Sequence, residues 1–387
     1  MPWNNNSLRA GTSQVAYRHG VSRSQVAERL VHLFGDATLQ QRSNTLLSLV
    51  AGKFTLSTSC PAPWMVQLEV TNRCNLKCRF CSRYFGQMKL GDMSPALLNA
   101  AAELSAKAQE VALFGYGEPL ISRAFYQLLP RLRSARVGFF TNGLLLTGEL
   151  LERVVHLSRR PLSYIAFSVD GATPETYETI RIGSNFSRVW HNLETAIRLR
   201  EQRKWHHLAL RLEFVAMRRN AGELARLVRM ADEAGVDELK VSHLVVWHES
   251  LRDESLFYHQ NLCRRSFEEA LEEAAGRRIK VSMPKVFGTS GAQAGSLLPP
   301  CRYPWHYAMI SFEGLVQACC FAPSLVMGDL TKQTFDAIWG NKLYRALRHS
   351  LNTPNCPQAC RRCEERYRDQ PSPNEELTYV KLTPRLR

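Results

Sequence analysis

Between residues 62 and 250, six short apolar runs alternate with amphipathic helical runs. No other feature constrains the fold of this chain as strongly. The runs are "WMVQLEV" (64–70), "VALFGYG" (111–117), "VGFFTNG" (137–143), "YIAFSVDG" (164–171), "LRLEFVAM" (210–217) and "ELKVSHLVV" (238–246). Each is rich in β-branched or aromatic residues, as a strand buried on both faces should be. Helix starts lie between them. Ser94-Pro95 and Thr173-Pro174 each pair an N-cap side chain with proline at the first helical position. Ser187 precedes "RVWHNLETAIRLREQ" as a further start, and Gly235 ends "AGELARLVRMADEAG" as a C-cap. Six such repeats imply an α/β fold of parallel strands with right-handed crossovers, either barrel-like or an open doubly wound sheet. In both forms the active site lies beyond the carboxyl ends of the strands. The polar oddities fall there: cysteines after the first strand, "GYGEP" at the second, "TNG" at the third and "SVDG" at the fourth.

Around this core the chain divides into four parts. Residues 1–60 carry the helical patterns "SQVAERLVHLFG" and "LQQRSNTLLSLVAG" and form an N-terminal extension. Residues 61–287 are the βα core, "GTSGAQAGSLLPP" (288–300) reads as a flexible linker, and 301–387 is cysteine-rich. No apolar run approaches the ~18 residues that span a bilayer, and the first residues lack the apolar stretch of a secretory signal. A cytoplasmic protein with no membrane partner is expected. The net charge of +15 is spread over helical stretches such as "AIRLREQRK" (196–204), with no nucleic-acid-binding signature. It reads as a solvated basic surface, with an anionic substrate or partner as the alternative.

Eleven cysteines, an odd number in clusters, suit metal sites in a reducing compartment better than disulfides. Three lie in "CNLKCRFC" (74–81) and six between Cys301 and Cys363, while Cys60 and Cys263 stand apart. Core packing, a zinc site and an iron–sulfur site remain open for Cys74, Cys78 and Cys81. Three thiols in eight residues beside Lys77 and Arg79 make a poor core pattern, and zinc prefers four closing ligands. A four-iron cluster on three thiolates leaves one iron open to grip a cofactor.

With Phe80 before its last cysteine, this CxxxCxxC resembles the signature of the radical S-adenosylmethionine (SAM) superfamily. "GYGEPL" (115–120) is similar to the family's "GGEP" element, with Tyr116 in place of the second glycine, and "TNG" and "SVDGATPETYETIR" match further elements. The resemblance implies a partial (β/α)6 TIM-like barrel. It implies that Cys74, Cys78 and Cys81 hold a [4Fe–4S] cluster that binds SAM and cleaves it to a 5′-deoxyadenosyl radical, fed by a one-electron reductant such as flavodoxin or ferredoxin. Gly115, Tyr116, Gly117, Glu118 and Pro119 would meet the methionine ammonium. Ser168 and Asp170 would face the ribose or the methionine carboxylate, Arg181 would pair with that carboxylate, and Asn142 would hold its turn or touch ligand. Val215, Ser242 and Leu244 would line the adenine.

The tail resembles the SPASM domain, in which cysteines carry auxiliary clusters: Cys301, then Gly314 separated by four residues from Cys319, "MGDL", "AIWGN" and CxxC at Cys360 and Cys363. Six cysteines are too few for the full two-cluster pattern. The resemblance implies one auxiliary [4Fe–4S] cluster on Cys301, Cys319, Cys360 and Cys363, with Cys320 and Cys356 to spare; a zinc site on the same thiolates is the alternative. A closed auxiliary cluster suits an electron acceptor, so the expected reaction is two-electron oxidation of a small sugar-like or aminocyclitol-like alcohol. An epimerase with Cys263 or Cys320 as hydrogen donor, or a peptide maturase, is the alternative; a non-enzymatic scaffold is remote. Cys263 itself reads as a helix-packing residue. His243, His248, Glu249, Arg252 and Asp253 are candidates for the barrel mouth.

Overall fold

The computed structural model describes residues 37–54, 60–86, 88–246, 248–284, 286–287 and 301–361. The helical pattern at 24–35, the linker 288–300 and Cys363 lie outside them. Twelve strands are described: β1 (Met65–Leu68), β2 (Lys77–Cys78), β3 (Glu110–Leu113), β4 (Arg136–Thr141), β5 (Leu162–Ser168), β6 (Arg181–Ile182), β7 (Ala209–Ala216), β8 (Glu238–His243), β9 (Lys280–Ser282), β10 (Tyr307–Ile310), β11 (Leu315–Gln317) and β12 (Val326–Asp329).

Ten of them form one sheet in the order β12-β11-β10-β1-β3-β4-β5-β7-β8-β9. From β10 to β9 every pairing is parallel, while β11 and β12 add an antiparallel edge. All six apolar runs are strands of this sheet: β1, β3, β4, β5, β7 and β8. The architecture is an α/β partial barrel of the parallel type. Residues after 300 continue it, because β10 pairs with β1 from Met65↔Tyr307 to Leu68↔Ile310.

The caps follow the sequence with one shift. Ser94 Oγ accepts from the Leu97 amide at 3.4 Å and Thr173 Oγ1 from Thr176 at 3.3 Å. Gly235 ends its helix at φ 93°, a left-handed turn that glycine adopts without a Cβ clash. The start expected at Ser187 instead lies at Asn185, whose Oδ1 accepts from the Arg188 amide at 2.8 Å. Asn caps as well as Ser, and starting there buries Phe186 edge-on against Tyr177, with ring centroids 5.4 Å apart. The N-terminal helix Leu39–Lys53 opens with a reciprocal Thr38–Gln41 capping box.

The strands are less uniformly apolar than their sequence suggests. Along β7, Leu210, Leu212, Phe214 and Ala216 are buried, while Arg211, Glu213 and Val215 alternate onto the other face. That inner face carries charge. Arg211 pairs with Glu238 at 3.3 Å and lies over the Tyr164 ring, and Arg136 pairs with Glu110 at 3.3 Å. Among the described residues no helix is long and apolar enough to cross a membrane.

Candidate active site

The cysteine loop leaves β1 and is clipped in place by β2, which pairs antiparallel with β6 so that Cys78 opposes Arg181. Cys74, Cys78 and Cys81 then line one cavity of about 570 Å³ at the carboxyl ends of the strands. The same cavity is lined by Gly115, Tyr116, Gly117 and Glu118 after β3, by Asn142 after β4, and by Ser168 at the end of β5. Arg181, Val215 and Ser242 complete the expected set that faces it. Leu244 does not. It is buried in a small apolar cluster with Val246 and Leu251.

The "GYGEP" loop owes its path to close packing. A Cβ on Gly117 would fall 2.3 Å from the Thr71 carbonyl oxygen and 2.5 Å from that of Arg73, so only glycine lets this loop touch the cysteine loop. The Glu118 amide donates to the Arg73 carbonyl at 2.8 Å across the same contact. The Glu118 carboxylate is itself occupied: it accepts from Thr141 Oγ1 at 2.9 Å and from the amides of Asn142 at 2.7 Å and Leu120 at 3.2 Å. Pro119 is buried and opens a short 3₁₀ turn off the cavity. Glu118 therefore fastens the second loop to the third.

Asn142 completes the link. Its Nδ2 donates to Asn75 Oδ1 at 2.8 Å, while Gly143 takes the left-handed turn at φ 76°. Asn142 thus holds its turn to the cysteine loop and also lines the cavity.

Asp170 sits differently from the expectation. It is fully buried beneath the cavity, accepting from Arg181 Nε at 2.7 Å and from the Val215 amide at 2.7 Å. Its carboxylate has no face toward the cavity, because both oxygens are used to hold Arg181 and β7. Asn220 supports this corner, donating to the Asp170 and Val215 carbonyls. Arg181 in turn points Nη1 at Cys78 Sγ, 3.8 Å away, with its guanidinium over the Phe80 ring. Burial alone would lower Arg181, but the Asp170 carboxylate more than offsets this and keeps the guanidinium charged.

The donor set fits an iron–sulfur cluster. Burial pushes the Cys78 thiol up to about 12 and raises Cys74 and Cys81 as well. Such thiols ionise when a metal takes the proton's place. N–H donors already face the sulfurs, with the Leu76 amide 3.4 Å from Cys74 Sγ, and donors of this kind tune cluster potential. Among the described residues no three His, Cys, Asp or Glu side chains converge tightly enough to chelate a single ion. Three thiols spread around one cavity suit a multi-iron group, whose ligands stand further apart.

Comparison with known proteins agrees with this geometry. Residues 68–208 match the Radical SAM superfamily, and residues 301–364 match SPASM, an iron–sulfur cluster-binding domain. The chain belongs to the radical SAM superfamily and carries a C-terminal SPASM domain. Among its relatives is the PqqA peptide cyclase of Gluconobacter oxydans, 25% identical over 320 residues, covering 80% of this chain and 85% of that protein. Mycofactocin maturase MftC of Mycobacterium ulcerans is 27% identical over 326 residues, covering 78% and 80%. A tungsten-containing aldehyde ferredoxin oxidoreductase cofactor-modifying protein of Pyrococcus furiosus is 28% identical over 184 residues, and the match spans about half of it (51%) and 46% of this chain. The fold is also that of SuiB from Streptococcus suis bound to S-adenosylmethionine, with a TM-score of 0.61 at 15% identity over 84% of this chain and 76% of that one.

In the SPASM region the Cys301 amide donates to Asn352 Oδ1 at 2.9 Å, and the Asn352 side chain donates back to the Cys301 carbonyl. Cys319 Sγ accepts from the Phe321 amide at 3.3 Å. Cys356 and Cys360 are both buried. Cys320 stands beside Cys319 and the Tyr307 hydroxyl, and hydrogen bonds from these two lower its pKa. Cys263 is a wholly buried core residue of the helix Gln260–Ala274.

The candidates after the sixth strand do not line the cavity. His243 lies between the rings of Phe267 and Phe287, and Asp253 pairs with Arg218 at 2.8 Å on an exposed turn. Two carboxylates escaped the sequence reading. Glu69, at the end of β1, accepts from the Tyr116 amide at 2.9 Å and from the Phe312 amide at 3.4 Å, so it joins the "GYGEP" loop to the SPASM region. Glu213 of β7 lines the cavity. The signal for both was an acidic residue inside an otherwise apolar strand run.

Proposed function

We propose that this radical SAM enzyme oxidises a small sugar-like or aminocyclitol-like alcohol by two electrons. The observation that supports this reading is the gathering of three thiols, the "GYG" edge and Arg181 around one cavity. A [4Fe–4S] cluster on Cys74, Cys78 and Cys81 would supply reductive cleavage of SAM and hence a hydrogen-abstracting radical.

The chain's own residues bind and orient. Backbone carbonyls of the Gly115–Gly117 edge suit the methionine ammonium, and the charged Arg181 suits its carboxylate. Ser168 and Asn142 offer hydrogen bonds to hydroxyls, while Val215 and Ser242 offer a wall for a flat base. Glu118, Pro119 and Asp170 act by position, fixing the loops and Arg181. Cys301, Cys319, Cys360 and Cys363 would hold the auxiliary cluster that accepts the second electron, in a SPASM segment 301–387 that follows a barrel at 61–287 and a linker at 288–300. A flavodoxin or ferredoxin would supply the first electron.

A peptide substrate is the second reading, favoured by two relatives that share about 80% of the chain and are named a peptide cyclase and a maturase. The test is anaerobic turnover with SAM, dithionite and carbinol-deuterated cyclitols and hexoses. Deuterium in 5′-deoxyadenosine together with a ketone product is expected. Cleavage of SAM without deuterium transfer from any of them would move the peptide reading ahead.

A further inference from the structure

Among the described carboxylates that shape the site, buried or half-buried, all but one have their oxygens in use. Glu69 accepts from two backbone amides and Glu118 from three groups. Asp170 accepts from Arg181 and the Val215 amide. Glu223 accepts from the Ala172 amide at 2.6 Å, from Thr173 Oγ1 at 2.9 Å and from Thr176, and so holds the loop after β5. Glu213 faces the same cavity, yet among the described residues no hydrogen bond or ion pair reaches its carboxylate. Leaving a carboxylate unpaired in a partly dry wall costs free energy unless a ligand completes it.

Its position is fixed by the sheet. Register places Ser168 and Lys240 on either side of Glu213, and Val215, two residues further along β7, opposite Ser242. Ser168, Glu213, Val215 and Ser242 thus form a patch across three strands that lines the same cavity as the cysteines. The charged groups around it are Lys240 from β8, Arg211 from its own strand, Glu238 from β8 and Asp170 after β5. Arg211 is already paired with Glu238, and Asp170 with Arg181.

We propose that Glu213 is the proton acceptor of the oxidation, touching the hydroxyl group of the bound substrate. This rests on the dehydrogenation reading above. At the carbinol carbon the C–H bond breaks and its hydrogen atom goes to the 5′-deoxyadenosyl radical. The O–H bond then breaks, its proton passes to a Glu213 oxygen, and C–O becomes C=O as one electron leaves for an iron–sulfur acceptor. The carboxyl is suited to this: burial pushes it up to about 7, against the pull of Lys240 and Arg211, so it trades protons near neutral pH.

The experiment compares wild type with Glu213→Gln, a replacement of equal size, after anaerobic reconstitution. Infrared titration of the SAM-bound protein should show protonated-carboxyl absorbance titrating at about 7 that is smaller in E213Q, the remainder belonging to Glu118. Identical titrations would overturn the proposal whatever the substrate. With SAM, dithionite and carbinol-deuterated inositol, aminoinositol and hexose probes, the ratio of ketone to deuterated 5′-deoxyadenosine should fall about 100-fold in E213Q. An unchanged ratio, with deuterium still transferred, would overturn the role of Glu213 and leave the dehydrogenation reading standing. No deuterium transfer by wild type from any probe would remove that reading, and the proton-acceptor role with it.

Discussion

Replacing Asp170 by asparagine should destabilise the protein far more than its distance from any ligand suggests. The carboxylate is fully buried, and Arg181, which it holds at 2.7 Å, is only 7% exposed. Asparagine keeps the volume and an acceptor for the Val215 amide, so the loss is confined to the charge. Breaking a buried pair from one side costs about 3–5 kcal/mol because the remaining ion is left uncompensated. Contacts of Arg181 with the Phe80 ring and Cys78 Sγ place the cost toward the lower end. An unfolding entropy of ~2.1 cal/mol/K per residue over roughly 350 residues makes the transition steep, and the expected drop in Tm is about 4–5 °C. Differential scanning calorimetry under anaerobic conditions reads this directly. The double variant D170N/R181M should recover much of the loss, since replacing both members of a buried pair is often nearly neutral. A Tm drop below about 1 °C for D170N, or strictly additive effects in the double variant, would refute the account of Asp170 as the anchor of Arg181.

Gly117→Ala forces a Cβ to within 2.3 Å of a backbone oxygen, so the two loops must part. SAM affinity measured by calorimetry should weaken by about tenfold, equivalent to ~1.4 kcal/mol, and an unchanged affinity would contradict the close-approach reading. Glu118 is raised by burial from 4.5 to about 7. Its native carboxyl therefore binds a proton more readily than the unfolded chain does, and stability from this group is full below pH 4.5 and lost as pH rises through about 7. Urea midpoints taken across that window should fall less steeply for E118Q than for wild type, the difference reaching about 3 kcal/mol. Parallel pH profiles would contradict it.

Fold and site were legible to different depths in the sequence, for physical reasons. The six strands stood out because a parallel sheet covered by helices must be apolar on its helix-facing side, and β-branched and aromatic residues mark that side. The cysteine loop, "GYGEP", "TNG" and Arg181 stood out because their residue types are costly or useless in a core. The roles of Glu118 and Asp170 were not legible. Whether a carboxylate at a strand end meets a ligand or a neighbouring loop depends on contacts 11 to 45 residues away in the chain, such as Asp170 with Arg181 and with Val215. Glu213 was hidden by the assumption that both faces of β7 are apolar, whereas the inner face carries the charge. β10 was missed as a strand beside β1 because it lies 239 or more residues along the chain from its partner, beyond any local pattern.

In the proposed function Cys74, Cys78 and Cys81 hold the SAM-cleaving cluster. Iron and acid-labile sulfide per chain, measured after anaerobic reconstitution for wild type and for the Cys74/Cys78/Cys81→Ala triple variant, test it most directly. About four irons should be lost from the variant together with all formation of 5′-deoxyadenosine, with about four retained by the SPASM cysteines. A variant that keeps its full iron content, or still cleaves SAM, would contradict the assignment.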